Sequence, residues 1–264
     1  MCDEQKEVVK GVVELAKDVA GDLVRPTSKS IGDNLGLFVD GVMGWLGYWG
    51  EKQKIKRSIY LKDYKKRIQA KVNAIPAKRL VEPKMRIVGP AVEASKYFIE
   101  EEDCREMFAK LIASSCDSET ADLVHPSFPA IIQQLSPKDA RFLQIFTYNA
   151  TYPAITIHEK HSDGIITPYP HIMIDFKKNP ITFNPMQELD ITKSIESLSR
   201  FEIVKLNKEV LELNYDYNQF KQHWFYVAIQ KAIQEGSQII MTKYRIELSL
   251  FGQDFLKCCI PSPN

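Results

Sequence analysis

Glycine spacing constrains the first fifth of this chain more than any other feature. Residues 31–50, IGDNLGLFVDGVMGWLGYWG, hold six of the twelve glycines and two of the three tryptophans, with Asp33 and Asp40 as the charges. Gly41, Gly44, Gly47 and Gly50 recur every third residue. Each glycine inside a helix costs about 0.5–1 kcal/mol relative to alanine. Ile31, Leu35, Phe38, Val42, Leu46 and Trp49 nevertheless share one helical stripe. Such a helix needs a close neighbour to offset its glycines. That neighbour is another helix or a lipid interface, with Trp45, Tyr48 and Trp49 as an aromatic belt; without one the stretch is disordered or a broken helix.

The following segment, 51–71, carries nine Lys/Arg against two Asp/Glu, a sum of +7. Residues 99–122 sum to −6, from eight acidic side chains against Arg105 and Lys110. The whole-chain net charge of +1 hides this separation. It marks either an electrostatic surface or two helices that pack side by side. The apolar contact candidates are Phe38, Trp45, Leu46 and Trp49, and the basic candidates are Lys52, Lys54, Lys56, Arg57, Lys65, Lys66 and Arg67. Basic side chains beside an apolar segment suit anionic lipid headgroups, at about 1 kcal/mol each. They suit nucleic-acid phosphate equally well.

A hydrophobic content of 44% and a charged content of 26% are those of a soluble globular protein, and 264 residues suffice for two domains or one with an arm. The five cysteines (Cys2, Cys104, Cys116, Cys258, Cys259) include one adjacent pair and no CxxC, which argues against a disulfide framework or zinc knuckle. Asp3, Glu4, Lys6 and Glu7 interrupt any leader-like start. The expected compartment is the cytoplasm, with peripheral contact at the inner face of the membrane through the arm. Residues 34–50 come closest to a membrane span but contain Asp40, so an ordinary single-span helix is not expected.

The pattern along the chain predicts a mainly α fold with a small β component (α+β). An N-terminal arm over 1–75 begins with an amphipathic helix at 5–24 and runs through the glycine-rich and basic helices. A helical unit follows at 84–150, with a helix opened by Gly89-Pro90 and another placing Cys104, Met107, Phe108, Leu111, Ile112 and Ser115 on one face. Ser136-Pro137-Lys138-Asp139 supplies an N-cap, a proline at N1 and an acidic N3. Five prolines across 151–187 read as a long loop or a small irregular β element. The last unit, 188–260, reads as a helix over 190–201, strands over 203–213 and 244–250 around an insert at 214–241, and a closing helix near 251–259.

Helix, strand, strand and glycine-marked helix is the order at the end of a winged helix-turn-helix. With GPAVEASKYFIEEEDCREMFAKLIASSCD, HPSFPAIIQQLSPKDARFLQIF and YRIELSLFGQDF, most of the text of 85–257 resembles the abortive infection alpha (Abi-alpha) family, a domain of unknown function. The resemblance rests on Gly89-Pro90, Met107 to Leu111, His125 to Phe128, Leu135-Ser136-Pro137-Asp139 and Phe251-Gly252. It implies a bacterial protein linked to halting phage growth, and it supplies no catalytic motif. One departure is Phe201-Glu202-Ile203, which stands where the family resemblance implies a leucine-glycine turn.

His158, His161, Asp163, His171 and Asp175 cluster in sequence, and HxxH could give zinc two ligands, but the run sits among prolines and no metal is expected. Neither a GxxxxGK[ST] nor a GxGxxG or GxSxG motif occurs, so no cofactor and no small-molecule substrate is inferred. On the 188–201 helix Lys193 and Arg200 are flanked by Glu188, Asp190 and Glu196, which would repel DNA phosphate. The reading is a non-enzymatic phage-defence protein. Its body binds a phage or host protein, and its arm contacts an anionic membrane or a partner helix. A nucleic-acid-binding winged-helix regulator and a homo-oligomeric interaction module remain the alternatives.

Overall fold

A computed structural model describes residues 55–261 apart from 177, 178 and 182, with side chains from Ile59 onward. The expected helices over 5–24 and 31–50 lie outside the described residues. The fold is α+β: helices dominate, with one four-stranded antiparallel sheet. It divides into two compact units, one running through Gln134 and including Lys257–Pro261, the other comprising Leu135–Leu256. The division therefore falls within the stretch 84–150.

The first unit contains α1 (Ile55–Asn73), α2 (Met85–Phe98), α3 (Glu102–Ser115) and the short α4 (Phe128–Ile132). In α1, Tyr64, Ile68 and Val72 recur every fourth residue and are buried, which places them on one face. The α3 face is the one its periodicity predicts, with Cys104, Met107, Phe108, Leu111, Ile112 and Ser115 all buried. Gly89-Pro90 does not open a helix: α2 begins at Met85 and carries Pro90 inside it. A proline disfavours helical geometry at the preceding residue through that residue's Cβ. Gly89 has no Cβ, so the helix passes through.

The second unit contains α5 (Pro137–Gln144), β1 (Thr151–Lys160), β2 (Ile166–Ile174), α6 (Pro185–Arg200), β3 (Val204–Asn207), α7 (Trp224–Ala232), β4 (Gln238–Leu248) and α8 (Leu250–Cys259) up to Leu256, the rest of α8 belonging to the first. The Ser136–Asp139 capping box of α5 forms as expected. The strands lie in the order β2-β1-β4-β3, and every neighbouring pair is antiparallel.

The proline-rich stretch departs most from the sequence pattern. Most of it is the β1–β2 hairpin, and Pro153, Pro168 and Pro170 all lie within strands. Pro168 and Pro170 sit on the edge strand, where a missing N–H costs no ladder bond. Opposite Thr156, β2 carries extra residues: Ile155 pairs with Met173 and Ile157 with Tyr169, so Pro170, His171 and Ile172 form a bulge.

The α6 helix starts at Pro185, five residues before its expected start, because Asn184 and Gln187 form a capping box. Strand β3 stops at Asn207, well short of 213, where the Asn207 side chain accepts the N–H groups of Glu209 and Val210 at 3.0 and 2.9 Å. That Asx turn uses the backbone donors of the next residues. The insert holds a 3₁₀ turn at Tyr217–Gln222 and then α7. Tyr217, Phe220 and Tyr226 from this insert pack on Ile155, Ile157 and Met173 of the sheet.

The α6 C-terminus explains the departure at Phe201-Glu202-Ile203. Glu202 takes φ +56°, the left-handed conformation usually reserved for glycine. Its N–H donates to the Ser199 carbonyl and that of Ile203 to Leu198, both at 3.0 Å. This is a Schellman cap, and Leu198 and Ile203, the residues its outer hydrogen bond joins, are both buried.

Candidate functional site

The basic and acidic segments meet inside the first unit. Arg67 on α1 donates Nε to Asp63 at 2.7 Å, Nη1 to Glu106 at 2.9 Å and Nη2 to Glu102 at 2.8 Å. Lys71 pairs with Glu106 as well. Arg105 reaches back from α3 to Asp63 at 3.1 Å, and its guanidinium lies over the Tyr60 ring. Burial pushes the Glu106 carboxyl up, but hydrogen bonds and charge from Lys71 and Arg67 outweigh it and hold the group below the usual carboxylate range. Asp63 is held low in the same way: burial raises it, and Arg67 and Arg105 lower it further. The opposite charge runs are thus partly explained as two helices packed side by side.

This seam sorts the basic candidates. Arg67 is committed to carboxylates, Lys65 is half-buried and Lys66 is exposed. Lys56 and Arg57 lie in the first turn of α1, where only the backbone is described. Phe38, Trp45, Leu46, Trp49, Lys52 and Lys54 lie outside the described residues.

The second unit holds a polar cluster that no motif announces. Glu188 Oε2 on α6 accepts the Trp224 indole N–H at 2.6 Å and lies 3.3 Å from His223 Nε2. His223 also caps α7, its Nδ1 accepting the Phe225 N–H at 3.3 Å. An Nδ1 that accepts leaves the proton on Nε2, directed at Glu188. Burial raises Glu188, yet His223 and Trp224 keep it below its ordinary value.

Beside them His171 is 4% exposed. Thr192 Oγ1 accepts the Ile172 backbone N–H at 2.9 Å and sits 3.3 Å from His171 Nδ1. The hydroxyl and Nδ1 share one hydrogen bond, which leaves Nε2 as the other ring nitrogen. Among the described residues that Nε2 has no partner. Burial, then the neighbouring His223, lowers the His171 pKa to about 4, against an opposing pull from Glu188. The recess between His171, Glu188 and His223 has no room for a water molecule.

A second carboxylate holds the other end of α7. Glu159 on β1 is 5% exposed, accepts the Tyr169 hydroxyl at 2.8 Å and takes the Gln234 N–H at 3.2 Å. Hydrogen bonds from Ser237 and Tyr169 hold it low. The α7 segment is thus clasped at both ends, by Glu188 and Glu159. Sequence reasoning placed Glu188 only as a charge hostile to phosphate and missed the clasp.

The HxxH histidines do not converge. His161 Nε2 bonds the Thr167 hydroxyl at 2.8 Å, and His158 lies 3.5 Å from Thr156 Oγ1. Among the described residues, no three His, Cys, Asp or Glu side chains are arranged to hold a metal. Cys104, Cys116, Cys258 and Cys259 are buried thiols not joined in disulfides, and burial pushes the Cys104 and Cys116 thiols up to about 12. A shallow recess of about 260 Å³ near α5 and α6 balances Lys138 and Lys193 against Asp139 and Asp190. No described helix is long and apolar enough to cross a membrane.

A family model described as "Abortive infection alpha" matches residues 56–259. No curated protein matches the chain. Among solved structures, an uncharacterized protein from the hydrocarbon-degrading marine bacterium Alcanivorax borkumensis SK2 is similar at 14% identity. That match covers 53% of this chain and 94% of the other, with a TM-score of 0.33, a likeness that carries no argument. The family suggests a role related to abortive infection. Because the family model runs from the first turn of α1 to the last residue of α8, the chain belongs to the abortive infection alpha family.

Proposed function

We propose that this protein acts in abortive infection without catalysing a reaction. Its folded body holds a phage or host protein, and its N-terminal arm contacts an anionic membrane. The observation that carries this reading is the rooting of α1. Tyr64, Ile68 and Val72 bury one face of the helix, which is formed by most of the basic stretch and follows the glycine-rich stretch in sequence. A contact made by Trp45 and Trp49 is thereby tethered to a folded body, as an effector that reports a binding event needs to be.

Supporting considerations are the family's role and the polar clusters, whose side chains are engaged in ion pairs and helix caps. The test uses the full chain with Trp45→Glu and Trp49→Glu together. The expected outcome is loss of co-sedimentation with phosphatidylserine-containing vesicles and loss of protection against phage in a plaque assay. Retention of both would overturn the reading.

A further inference from the structure

We propose that the outward stripe of α1 is a second contact with the anionic bilayer, extending the interface that the glycine-rich segment begins. The inference rests on the membrane half of the function proposed above. It is carried by the way α1 sorts its side chains around the helix.

Ile59, Lys62, Lys66, Gln69, Ala70 and Asn73 are all exposed and recur at i, i+3, i+7, i+10, i+11 and i+14. At 100° per residue they cover one continuous arc, opposite buried Tyr64, Ile68 and Val72. The stripe contains no acidic side chain. The nearest carboxylates, Asp63, Glu102 and Glu106, are engaged on the flank by Arg67, Arg105 and Lys71. The seam therefore consumes the negative charge and leaves Lys62 and Lys66 facing outward. Lys62 was not among the basic residues singled out from the sequence.

The chemistry of the stripe favours a lipid surface over the other anionic partners. Ile59 is 62% exposed, three positions before Lys62 on the same face, and lysines beside an apolar side chain can reach headgroups while the apolar group enters the interface. A hydrophobic protein groove would instead require several apolar anchors at helical spacing. Phosphate binding to nucleic acid would leave Ile59 without a role. In sequence, the tryptophan- and glycine-rich segment lies N-terminal to α1.

The experiment compares full-length chains by sedimentation with phosphatidylcholine vesicles, with and without phosphatidylserine. The variants are Lys62→Gln with Lys66→Gln, the exposed control Lys221→Gln in the other unit, and Lys62→Arg with Lys66→Arg. The glutamine pair is expected to bind anionic vesicles about tenfold to thirtyfold more weakly, from about 1 kcal/mol per lysine. The control and the arginine pair should match the unaltered chain. If the glutamine pair binds normally while Trp45→Glu with Trp49→Glu does not, the stripe is overturned and the arm stands. If the unaltered chain binds no vesicle, both fall. If the glutamine pair instead loses binding to a short DNA duplex with vesicle binding intact, the stripe is a nucleic-acid surface and the lipid assignment is overturned.

Discussion

The indole N–H of Trp224 donates to Glu188 Oε2 at 2.6 Å, joining the first residue of α7 to α6 across 36 positions of sequence. The same oxygen faces His223, so one carboxylate serves both residues at the α7 start. Replacing it strands two donors at once.

Glu188→Ala should therefore destabilise the protein by about 2 kcal/mol, the scale for hydrogen bonds to a charged group. Urea unfolding checks the magnitude. Limited proteolysis checks the location, since cleavage within 208–237 should accelerate more than cleavage elsewhere. Unchanged cutting there would show that Glu188 does not hold α7.

Acid should weaken the fold through His171. Its ordinary value of 6.5 applies to the unfolded chain, whereas in the fold burial and His223 lower it to about 4. Between those values the unfolded chain binds a proton that the folded chain does not, so stability falls as pH drops from 6.5 towards 4. The full effect is about 3 kcal/mol. Glu188, also held low, adds a loss only at still lower pH, below the ordinary carboxylate value. His171→Leu should flatten the upper part of the profile, measured as urea midpoint against pH.

Gly252→Ala should be among the most damaging single changes. A Cβ there would sit 2.1 Å from the Ile203 carbonyl oxygen, which also accepts the Ser249 N–H at 3.0 Å. Backbone must move to admit it, at a cost of about 3 kcal/mol. A melting temperature close to that of the unaltered protein would show that α8 can slide away from Ile203.

Glu202→Gly points the other way. Removing a Cβ from a left-handed position should stabilise the protein by about 1 kcal/mol. Thermal unfolding of this variant tests whether the cap is strained.

Two substitutions in α1 separate its anchors. Ile68→Ala should cost about 2–5 kcal/mol, because it opens a cavity in the core. Arg67→Ala should cost about 1 kcal/mol, falling further in high salt, because its partners are partly solvated. The reverse order would mean that charge rather than apolar burial roots the helix.

The elements legible in the sequence are those whose determinants are local. The α5 cap lies within four residues, Ser136 to Asp139, and the buried face of α3 follows a 3.6-residue period. The hairpin was obscured because Pro168 and Pro170 break a strand only where a neighbour needs their N–H, and edge position cannot be read from one segment. The early start of α2 was hidden by Gly89-Pro90, whose meaning depends on a single absent Cβ. Glu188, His223, Trp224 and His171 come from three elements with no shared motif, so only the fold assembles them.

The edge at β2 also limits how copies of this protein can meet. Pro168, Pro170 and Ile172 all lie on this edge strand, the last two within its bulge. Two of them have no N–H to offer, and the third gives its own to Thr192. The opposite edge, β3, is only four residues long. A neighbouring chain therefore finds almost no template on either side for adding a strand. When the protein is concentrated on a surface, its sheets are guarded against merging into a continuous cross-chain β-structure, and any self-association has to be written in side chains.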